Sequence, residues 1–312
     1  MKNNLRVLLY AIVFLSFLGS TTDSKKNADG YIIQKENGKI ILGYKAFEDF
    51  LDSDRSWKSY TSIVLGLDPA MQKVHNRQIE WGSVDTVKFP DEIKNYKKEE
   101  FAAMLSQYDL AAVNVLYDSI IEMSHTVLPP RSHKEVDLCF FLPYGSCFVI
   151  PEKNINTIFI SLRIHPRDAK KIMAHEYAHI LHLDRCPEEP LSLKREIVSE
   201  GMAVFLTNRI LKDIEVSNSI PFMSSTSFEW CMNNEQTIKD SVKRELNDTT
   251  MRLFKRYISD GGFAAPPAGF VQKTGYFIGY RIIEKCVKKG MSLEEICSMN
   301  SEMVLQKSGY FR

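Results

Sequence analysis

The sequence lacks an excess of charge of either sign. Its 312 residues include 40 lysines and arginines against 39 aspartates and glutamates, which gives a formal net charge of +1. Nucleic-acid-binding domains usually carry a basic surplus that is clustered on one face, and this sequence has none. Hydrophobic residues make up 44% of the chain, a globular composition that excludes global disorder and a collagen-like protein. We therefore expect no nucleic-acid partner.

The N-terminal apolar stretch is too short to be predicted as a membrane-spanning helix. It covers residues 7–18, about a dozen residues, whereas a membrane-spanning helix needs roughly 20. Lys2 and Arg6 precede it and small residues follow it, as in a secretory signal peptide. We predict a signal peptide over residues 1–20, a linker over residues 21–30, and export to the periplasm or the extracellular space. An uncleaved signal would instead tether the protein to the membrane.

The sequence contains no C-x-x-C pair, and no cysteine lies near the predicted cleavage region, so a lipid-modified cysteine is not expected. Export permits disulfide bonds, but the sequence does not choose among the pairings. Buried free thiols and disulfides are both open, including a bond between Cys139 and Cys147 across the turn that divides two predicted strands. The six cysteines are Cys139, Cys147, Cys186, Cys231, Cys286 and Cys297.

Hydrophobic periodicity divides the rest of the chain into two regions. Residues 31–135 are predicted to be mostly helical, and apolar residues recur at three- and four-residue steps from Lys98 to Met123, which indicates one amphipathic helix. From Val136 onward, β-branched and aromatic runs predict three strands, after which helices follow. We therefore predict an α+β fold with a small antiparallel or mixed sheet beside a mainly helical lobe.

A motif with metal-binding spacing lies on the first helix after these strands. His175, Glu176 and His179 fit the pattern H-E-x-x-H. On a helix the two histidines are about one turn apart, so both imidazoles can reach one Zn²⁺. Glu176 points to the side of that face, where it can hold a metal-bound water. The alternative is a core helix whose histidines bond to neighbouring groups. We predict one zinc ion per chain.

Catalytic zinc needs a third protein ligand and keeps its fourth position open. Arg185 stands where the metzincin pattern requires a histidine, so that pattern fails. Glu196 and Glu200, one turn apart on the next predicted helix, are the remaining candidates. We favour Glu200, because the small residues Gly201 and Ala203 follow it and allow helices to approach closely. We expect Glu196 to accept a hydrogen bond from a ligand histidine.

These motifs resemble those of a known class of enzymes. The segment from His175 to His179, followed by Ser199-Glu200-Gly201-Met202-Ala203, resembles the gluzincin metallopeptidases, whose third zinc ligand is a glutamate on the next helix. Together with the segment Gly275–Arg281, the order is similar to that of the bacterial YjaZ-like Zn-dependent proteases. The resemblance covers roughly residues 136–289.

The resemblance implies a secreted zinc peptidase whose partner is a peptide or protein substrate. A zincin-like domain would occupy residues 136–312, with the small sheet packed on the motif helix and a cleft before the helical lobe. His175, His179 and Glu200 would bind Zn²⁺. Glu176 would act as the general base toward a zinc-activated water.

Two tyrosines on a later predicted helix are candidates for stabilising an oxyanion. Tyr276 and Tyr280 are four residues apart, and Gly275 and Gly279 keep that surface open. Ordinary aromatic packing is the alternative for both. The strand Thr157–Arg163 is either an edge to which a peptide could add or an interior strand.

A function from another class also stays open. A catalytically decayed protein of the zincin fold could bind a partner or assist assembly in the envelope. The intact Glu176 favours an enzyme, because a decayed enzyme can lose its general base first.

Overall fold

The computed structural model describes residues 30–108, 110–212, 214–250, 252, 256–259 and 265–312. The predicted signal peptide lies outside the described residues, as does the predicted linker except for Gly30. A five-stranded sheet and the helices around it form the fold, so the predicted α+β class is confirmed. No helix within the described ranges is long and apolar enough to cross a membrane.

The sheet is mixed, and its strand order is β1-β2-β3-β5-β4. β2, β3 and β5 run parallel to one another, whereas β1 and β4 are antiparallel strands at the two edges. The first two strands come from the region predicted to be mostly helical, so both predicted regions contribute to one sheet. The strands are β1 (Ile32–Lys35), β2 (Gly38–Leu42), β3 (Glu135–Phe141), β4 (Phe148–Pro151) and β5 (Ile155–Ser161).

Strand β5 lies inside the sheet, with β3 on one side and β4 on the other. The prediction that Thr157–Arg163 is an open edge is therefore wrong, and the alternative of an interior strand is confirmed. Ile158 and Phe159 are both fully buried, although they point to opposite faces of the sheet. Continuous apolar runs of this kind are typical of strands that are covered on both faces.

The insertion of β5 also separates β3 from β4, so these two strands do not form a hairpin. Cys139 and Cys147 consequently do not face each other across a turn, and no bond joins them. All six cysteines are free thiols in the structure, which is the first of the two alternatives that the sequence left open.

The N-terminal region supplies helices that cover the sheet, and two of them, α1 (Gly43–Asp52) and α3 (Pro69–Glu80), pack against β3. The predicted single helix from Lys98 to Met123 is wrong, because it is divided into two. Ser106 Oγ and Gln107 Nε2 both donate to the carbonyl of Ala103, at 3.0 and 3.2 Å, and such bonds compete with the helical pattern. The helices are α1 (Gly43–Asp52), α2 (Trp57–Ser59, continued as a π-helical stretch over Tyr60–Leu65), α3 (Pro69–Glu80), α4 (Phe89–Lys94), α5 (Lys98–Leu105) and α6 (Leu110–Val127).

Two long helices position the candidate site. Helix α7 (Pro166–Leu183) packs against β4 and β5, and helix α8 (Leu193–Ile210) packs along α7. Proline at the first position and the side chain of His165 begin α7, and Ser192 Oγ caps α8 by accepting from the amide of Arg195 at 3.3 Å. Such caps satisfy amide groups that have no partner within the helix.

A third long helix, α12 (Thr274–Lys288), crosses α8 at two glycines. A Cβ atom at Gly279 would lie 2.1 Å from the carbonyl oxygen of Ile197, and one at Gly201 would lie 2.1 Å from the carbonyl carbon of Gly279. Gly201 therefore allows a close approach to α12 rather than to α7. The remaining helices are α9 (Val216–Ser219), α10 (Ser225–Asn233), α11 (Glu235–Glu245), α12 (Thr274–Lys288), α13 (Leu293–Cys297) and α14 (Ser301–Ser308).

Candidate metal centre

Three side chains from two helices meet at one point. Helix α7 supplies His175 and His179, and α8 supplies Glu200. Glu200 Oε2 lies 3.1 Å from His175 Nε2 and 3.3 Å from His179 Nε2. The possible ligand atoms of the three residues all lie within 4.8 Å of one another. The structure thus brings together the three residues that were predicted as zinc ligands.

The charges within this cluster hold it together. Burial lowers the pKa of His179, but the carboxylates of Glu200, Glu176 and Glu196 together outweigh burial and raise that pKa to about 9. Burial raises the pKa of Glu200, yet the charge of His179 and the contacts with both imidazoles hold it well below its usual range. Burial lowers the pKa of His175 to about 4, so this imidazole is neutral at pH 7. The metal-free cluster is therefore a His179–Glu200 ion pair beside a neutral histidine.

Each imidazole has a different environment on its far side. Ser199 Oγ lies 3.4 Å from His179 Nδ1. The sequence analysis predicted that Glu196 would make this kind of contact with a ligand histidine. Glu196 is close enough for its charge to raise the pKa of His179, and burial, followed by the charge of Glu200, raises the pKa of Glu196 itself. His175 Nδ1 is buried and has no hydrogen-bond partner among the described residues.

Of the two candidate tyrosines, the structure places one at the cluster. The ring of Tyr276 lies 5.8 Å from that of His175, and its hydroxyl group is near enough to Glu200 for that carboxylate to raise its pKa. Burial and the negative charge of Glu200 raise the pKa of Tyr276 well above its ordinary value. Tyr280 instead stacks on Phe205, with 5.7 Å between the ring centres, so the structure supports aromatic packing for this residue.

Glu176 lies beside the cluster but is not part of it. Its side chain is buried, and burial raises its pKa to about 7. The charge of His179 lowers that pKa and the charge of Glu200 raises it, which places Glu176 near both. A carboxyl group of this kind can take up or release a proton near neutral pH.

The sequence reasoning missed Lys273. This lysine immediately precedes α12, is 8% exposed, and has a left-handed backbone conformation with φ of 62°. Its Nζ lies 4.8 Å from the ring centre of Tyr276, and its charge lowers the pKa of both His175 and Glu176. No motif marks a lysine in this position, because it reaches the cluster only through the fold.

The donor set suits a zinc ion. Two imidazole nitrogens and one carboxylate are the protein ligands of many zinc sites that keep an open coordination position. Zinc would take the place of the proton that pairs His179 with Glu200, because imidazole and carboxylate ligands bind metals in their deprotonated forms. The close approach of both Nε2 atoms to one carboxylate oxygen fits this exchange.

Comparison with known proteins gives one finding. Residues 157–311 match the model of a family described as the gliding motility protein GldB, a lipoprotein family. This segment contains the whole candidate metal centre and Lys273. No curated protein and no solved structure gives a significant match.

The family match corrects the resemblance drawn from the motifs. The matched family concerns gliding motility and is not a family of zinc peptidases, so the assignment to the gluzincins and to the YjaZ-like group is wrong. The description of the protein as a protease, which rested on that resemblance, is corrected with it. The physical reason is that H-E-x-x-H fixes where two imidazoles meet on a helix, whereas a reaction depends on the complete site.

Proposed function

We propose that this protein is an exported, envelope-associated protein that binds one zinc ion and serves gliding motility as a binding or assembly protein. Its zinc ligands would be His175, His179 and Glu200. In this proposal the chain keeps a zincin-like arrangement of α7 and α8 in a non-catalytic form. The observation that carries the proposal is the cluster of three ligand atoms within 4.8 Å, inside the segment matched by the GldB family.

Export is supported by two independent features. Residues 1–20 have the basic, apolar and small-residue order of a signal peptide. The matched family is a lipoprotein family, and lipoproteins are exported to the envelope, although this sequence has no cysteine near the predicted cleavage region that could carry the lipid. A periplasmic or extracellular position stays a prediction. Cell fractionation with an antibody, followed by N-terminal sequencing of the exported protein, checks it.

A bound zinc ion would supply a Lewis acid and a water of lowered pKa. In the proposed role the residues of this chain use that ion to hold α7 and α8 together. His175 and His179 come from one helix and Glu200 from the other, so the ion would cross-link them. Tyr276, which comes from α12, would pack its ring against the ligand His175, with 5.8 Å between the ring centres.

Variants at the native locus separate this proposal from enzymatic activity. We expect His175→Ala and His179→Ala to abolish gliding, because both remove a ligand. Glu176→Gln keeps the shape of the side chain and removes the base that hydrolysis needs, and we expect this strain to glide. Immunoblots of all strains show whether the protein levels are equal. Loss of gliding in Glu176→Gln at an unchanged protein level would contradict a non-catalytic role.

Hydrolysis remains a prediction from the motif and is not part of the proposal. Digestion of a random peptide library by zinc-loaded protein, with Glu176→Gln as the matched control, tests it directly. The proposed role predicts the same products from both proteins. A set of products that appears only with the unaltered protein would establish the enzyme and remove the proposed role.

A further inference from the structure

Two cysteines belong to segments that contact each other, namely the turn after α7 and the C-terminal helices α13 and α14. Cys186 follows α7, and its amide donates to the carbonyl of His182 at 2.9 Å, in the last turn of that helix. Cys297 is the last residue of α13 and is fully buried, whereas Cys186 is only partly buried. The two cysteines are 111 positions apart in the sequence, so only the fold can bring them together.

Side-chain contacts join the two segments on both sides of these cysteines. Before the cysteine of each segment, Arg185 Nε lies 3.8 Å from Glu294 Oε1. After it, the carboxylate of Glu189 accepts from the amide of Ser301 at 3.0 Å and from its hydroxyl group at 2.6 Å. Each segment thus has one cysteine between its two contact residues, and the flanking contacts bring the two cysteines near each other.

Arg131 links the same two segments a third time. Its backbone amide donates to Asp184 Oδ2 at 2.7 Å, at the end of α7. Its guanidinium group donates to Glu294 Oε1 and to Ser298 Oγ, each at 2.9 Å, on and just after α13. The segments that carry the cysteines are therefore held together at three places, which limits how far the two thiols can move apart in the folded chain.

The environment of the Cys297 thiol agrees with this arrangement. Burial raises its pKa to about 12. Among the neighbouring charges, that of Arg185 lowers this pKa and that of a Cys186 thiolate raises it. Both side chains that follow α7 are thus near enough to the Cys297 thiol to act on it.

We propose that Cys186 and Cys297 are oxidised to a disulfide after export, which joins the end of the metal-ligand helix α7 to α13. The free thiols of the structure are the reduced form of this pair. The inference rests on the proposed export, because oxidising compartments such as the periplasm allow disulfides to form and persist, and it is independent of the metal centre.

The oxidant is a thiol oxidoreductase of the envelope that carries a disulfide. The thiolate of Cys186, the more accessible of the two, attacks that disulfide and forms a mixed disulfide. The thiolate of Cys297 then attacks Cys186 Sγ, so that one S–S bond forms within the chain and the oxidoreductase leaves with two thiols. The chain loses two electrons and two protons, and the oxidoreductase disulfide takes up both electrons and both protons.

Maleimide counting tests the pairing on the full chain, with EDTA present so that the metal centre has no part in the result. The folded, reduced chain is treated with oxidised glutathione, unfolded in urea with excess N-ethylmaleimide, and analysed by mass spectrometry. The sequence has six cysteines, and we expect four maleimides per chain after oxidation, against six before it. A tryptic peptide pair should join Cys186 to Cys297. Six maleimides after oxidation, or a bond between another pair, would overturn the inference.

Serine variants identify the two partners. Cys186→Ser and Cys297→Ser should each bind five maleimides both before and after oxidation, because the remaining cysteine has no partner. Cys231→Ser is the matched control, since Cys231 is as fully buried as Cys297 but lies on α10. Oxidation should lower the count of this control from five to three. A loss of two thiols from Cys186→Ser on oxidation would show that the pair is misassigned, and circular dichroism shows that each variant is folded.

The exported protein shows whether the bond forms in the cell. Cells are quenched with acid to stop thiol exchange, and the chain from the envelope fraction is then treated with maleimide in urea. We expect four maleimides per chain, and six would overturn the inference. A chain found only in the cytoplasm would instead contradict the proposed export, and the glutathione experiment would still decide the pairing.

Discussion

At the scale of single residues, the choice between two glutamates decides whether the cluster is a metal site. Glu200 and Glu196 lie one turn apart on α8, and both are near His179. Only Glu200 has a carboxylate oxygen within 3.3 Å of both imidazoles. Residue spacing alone left both open, because either glutamate can face α7 if the helix rotates slightly. Packing at Gly201 fixes that rotation.

Substitution of the two glutamates should therefore have unequal effects on zinc affinity. Substitution of a residue next to a metal ligand typically weakens metal binding by about 10–100-fold, so we expect Glu196→Gln to weaken zinc binding by no more than this. Glu200→Gln removes a ligand itself, so we expect it to weaken zinc binding by more than the upper end of that range, about 100-fold. Competition with a chromophoric chelator measures both dissociation constants. A larger loss in Glu196→Gln than in Glu200→Gln would show that the ligand is misassigned.

A second prediction at this scale concerns His75, which lies far along the chain from the metal centre. This histidine is 5% exposed, hydrogen-bonds through Nδ1 to the hydroxyl group of Tyr144, and lies 5.4 Å from the ring of Phe89. Burial lowers its pKa from 6.5 to about 4. Between these two values the unfolded chain binds a proton that the folded chain does not, so stability falls as the pH falls through this window.

The contribution of His75 can be measured by comparing how the stabilities of the unaltered protein and of a His75 variant change with pH. The free energy of unfolding should lose at most about 3 kcal/mol between pH 6.5 and pH 4 through His75, since one pKa unit corresponds to about 1.4 kcal/mol. We expect His75→Phe to lose less stability than the unaltered protein over the same window. Urea unfolding at several pH values gives both curves. Parallel curves would mean that His75 has the same pKa in the folded and the unfolded protein.

Lys273 shows which site residues could not be predicted from the sequence. His175, Glu176 and His179 could be found because a helix places residues four apart on one side. Lys273 lies 73 positions after Glu200 and reaches the centre only because α12 crosses α8. No local pattern encodes that crossing. The same holds for Tyr276 and Tyr280, which were treated alike although only Tyr276 contacts the cluster.

At the scale of elements, the crossing of α8 and α12 is the feature that positions both Glu200 and Tyr276. The helices touch backbone to backbone at Gly201 and Gly279, where no room for a side chain exists. The long helices α7 and α8 could be predicted from sequence, whereas the regular apolar spacing from Lys98 to Met123 did not reveal that this stretch forms two helices. Strand partners could not be predicted, because the alternation of side chains does not reveal that β5 inserts between β3 and β4.

Substitution at this crossing should destabilise the protein. Gly279→Ala would place a Cβ atom 2.1 Å from the carbonyl oxygen of Ile197, and backbone cannot yield as a side chain can. Overpacking typically costs about 1–3 kcal/mol, and we expect at least the upper value here. Gly145→Ala is the control, because its new Cβ atom would meet only Arg163 Cδ at 3.8 Å. Urea unfolding compares the two, and equal stabilities would contradict the described contact.

At the scale of the whole molecule, one sheet joins the two regions that the sequence predicted, on either side of residue 135. β2 pairs in parallel with β3, and Ile40 and Ile41 of β2 are fully buried. Lys39 also contacts the buried Asp137, with 3.7 Å between Nζ and Oδ2. The sequence suggested a boundary near residue 135 because the strand pattern becomes strong there. Partners that are about 100 residues apart leave no local signal of their pairing.

Removal of the N-terminal region should therefore unfold the rest. A fragment of residues 136–312 would lose β1 and β2, expose one edge of β3, and leave Asp137 without Lys39. We expect this fragment to show no cooperative thermal transition by circular dichroism, whereas residues 30–312 should show one. A fragment that unfolds at the same temperature as the longer chain would make residues 136–312 an independent domain.

The central claim is that His175, His179 and Glu200 together bind one zinc ion per chain. Mass spectrometric metal analysis of the protein after equilibration with zinc and exhaustive dialysis tests it most directly. We predict one zinc ion per unaltered chain and none in the His175→Ala/His179→Ala double variant. A zinc-free unaltered protein, or a double variant that still retains one ion, would contradict the account.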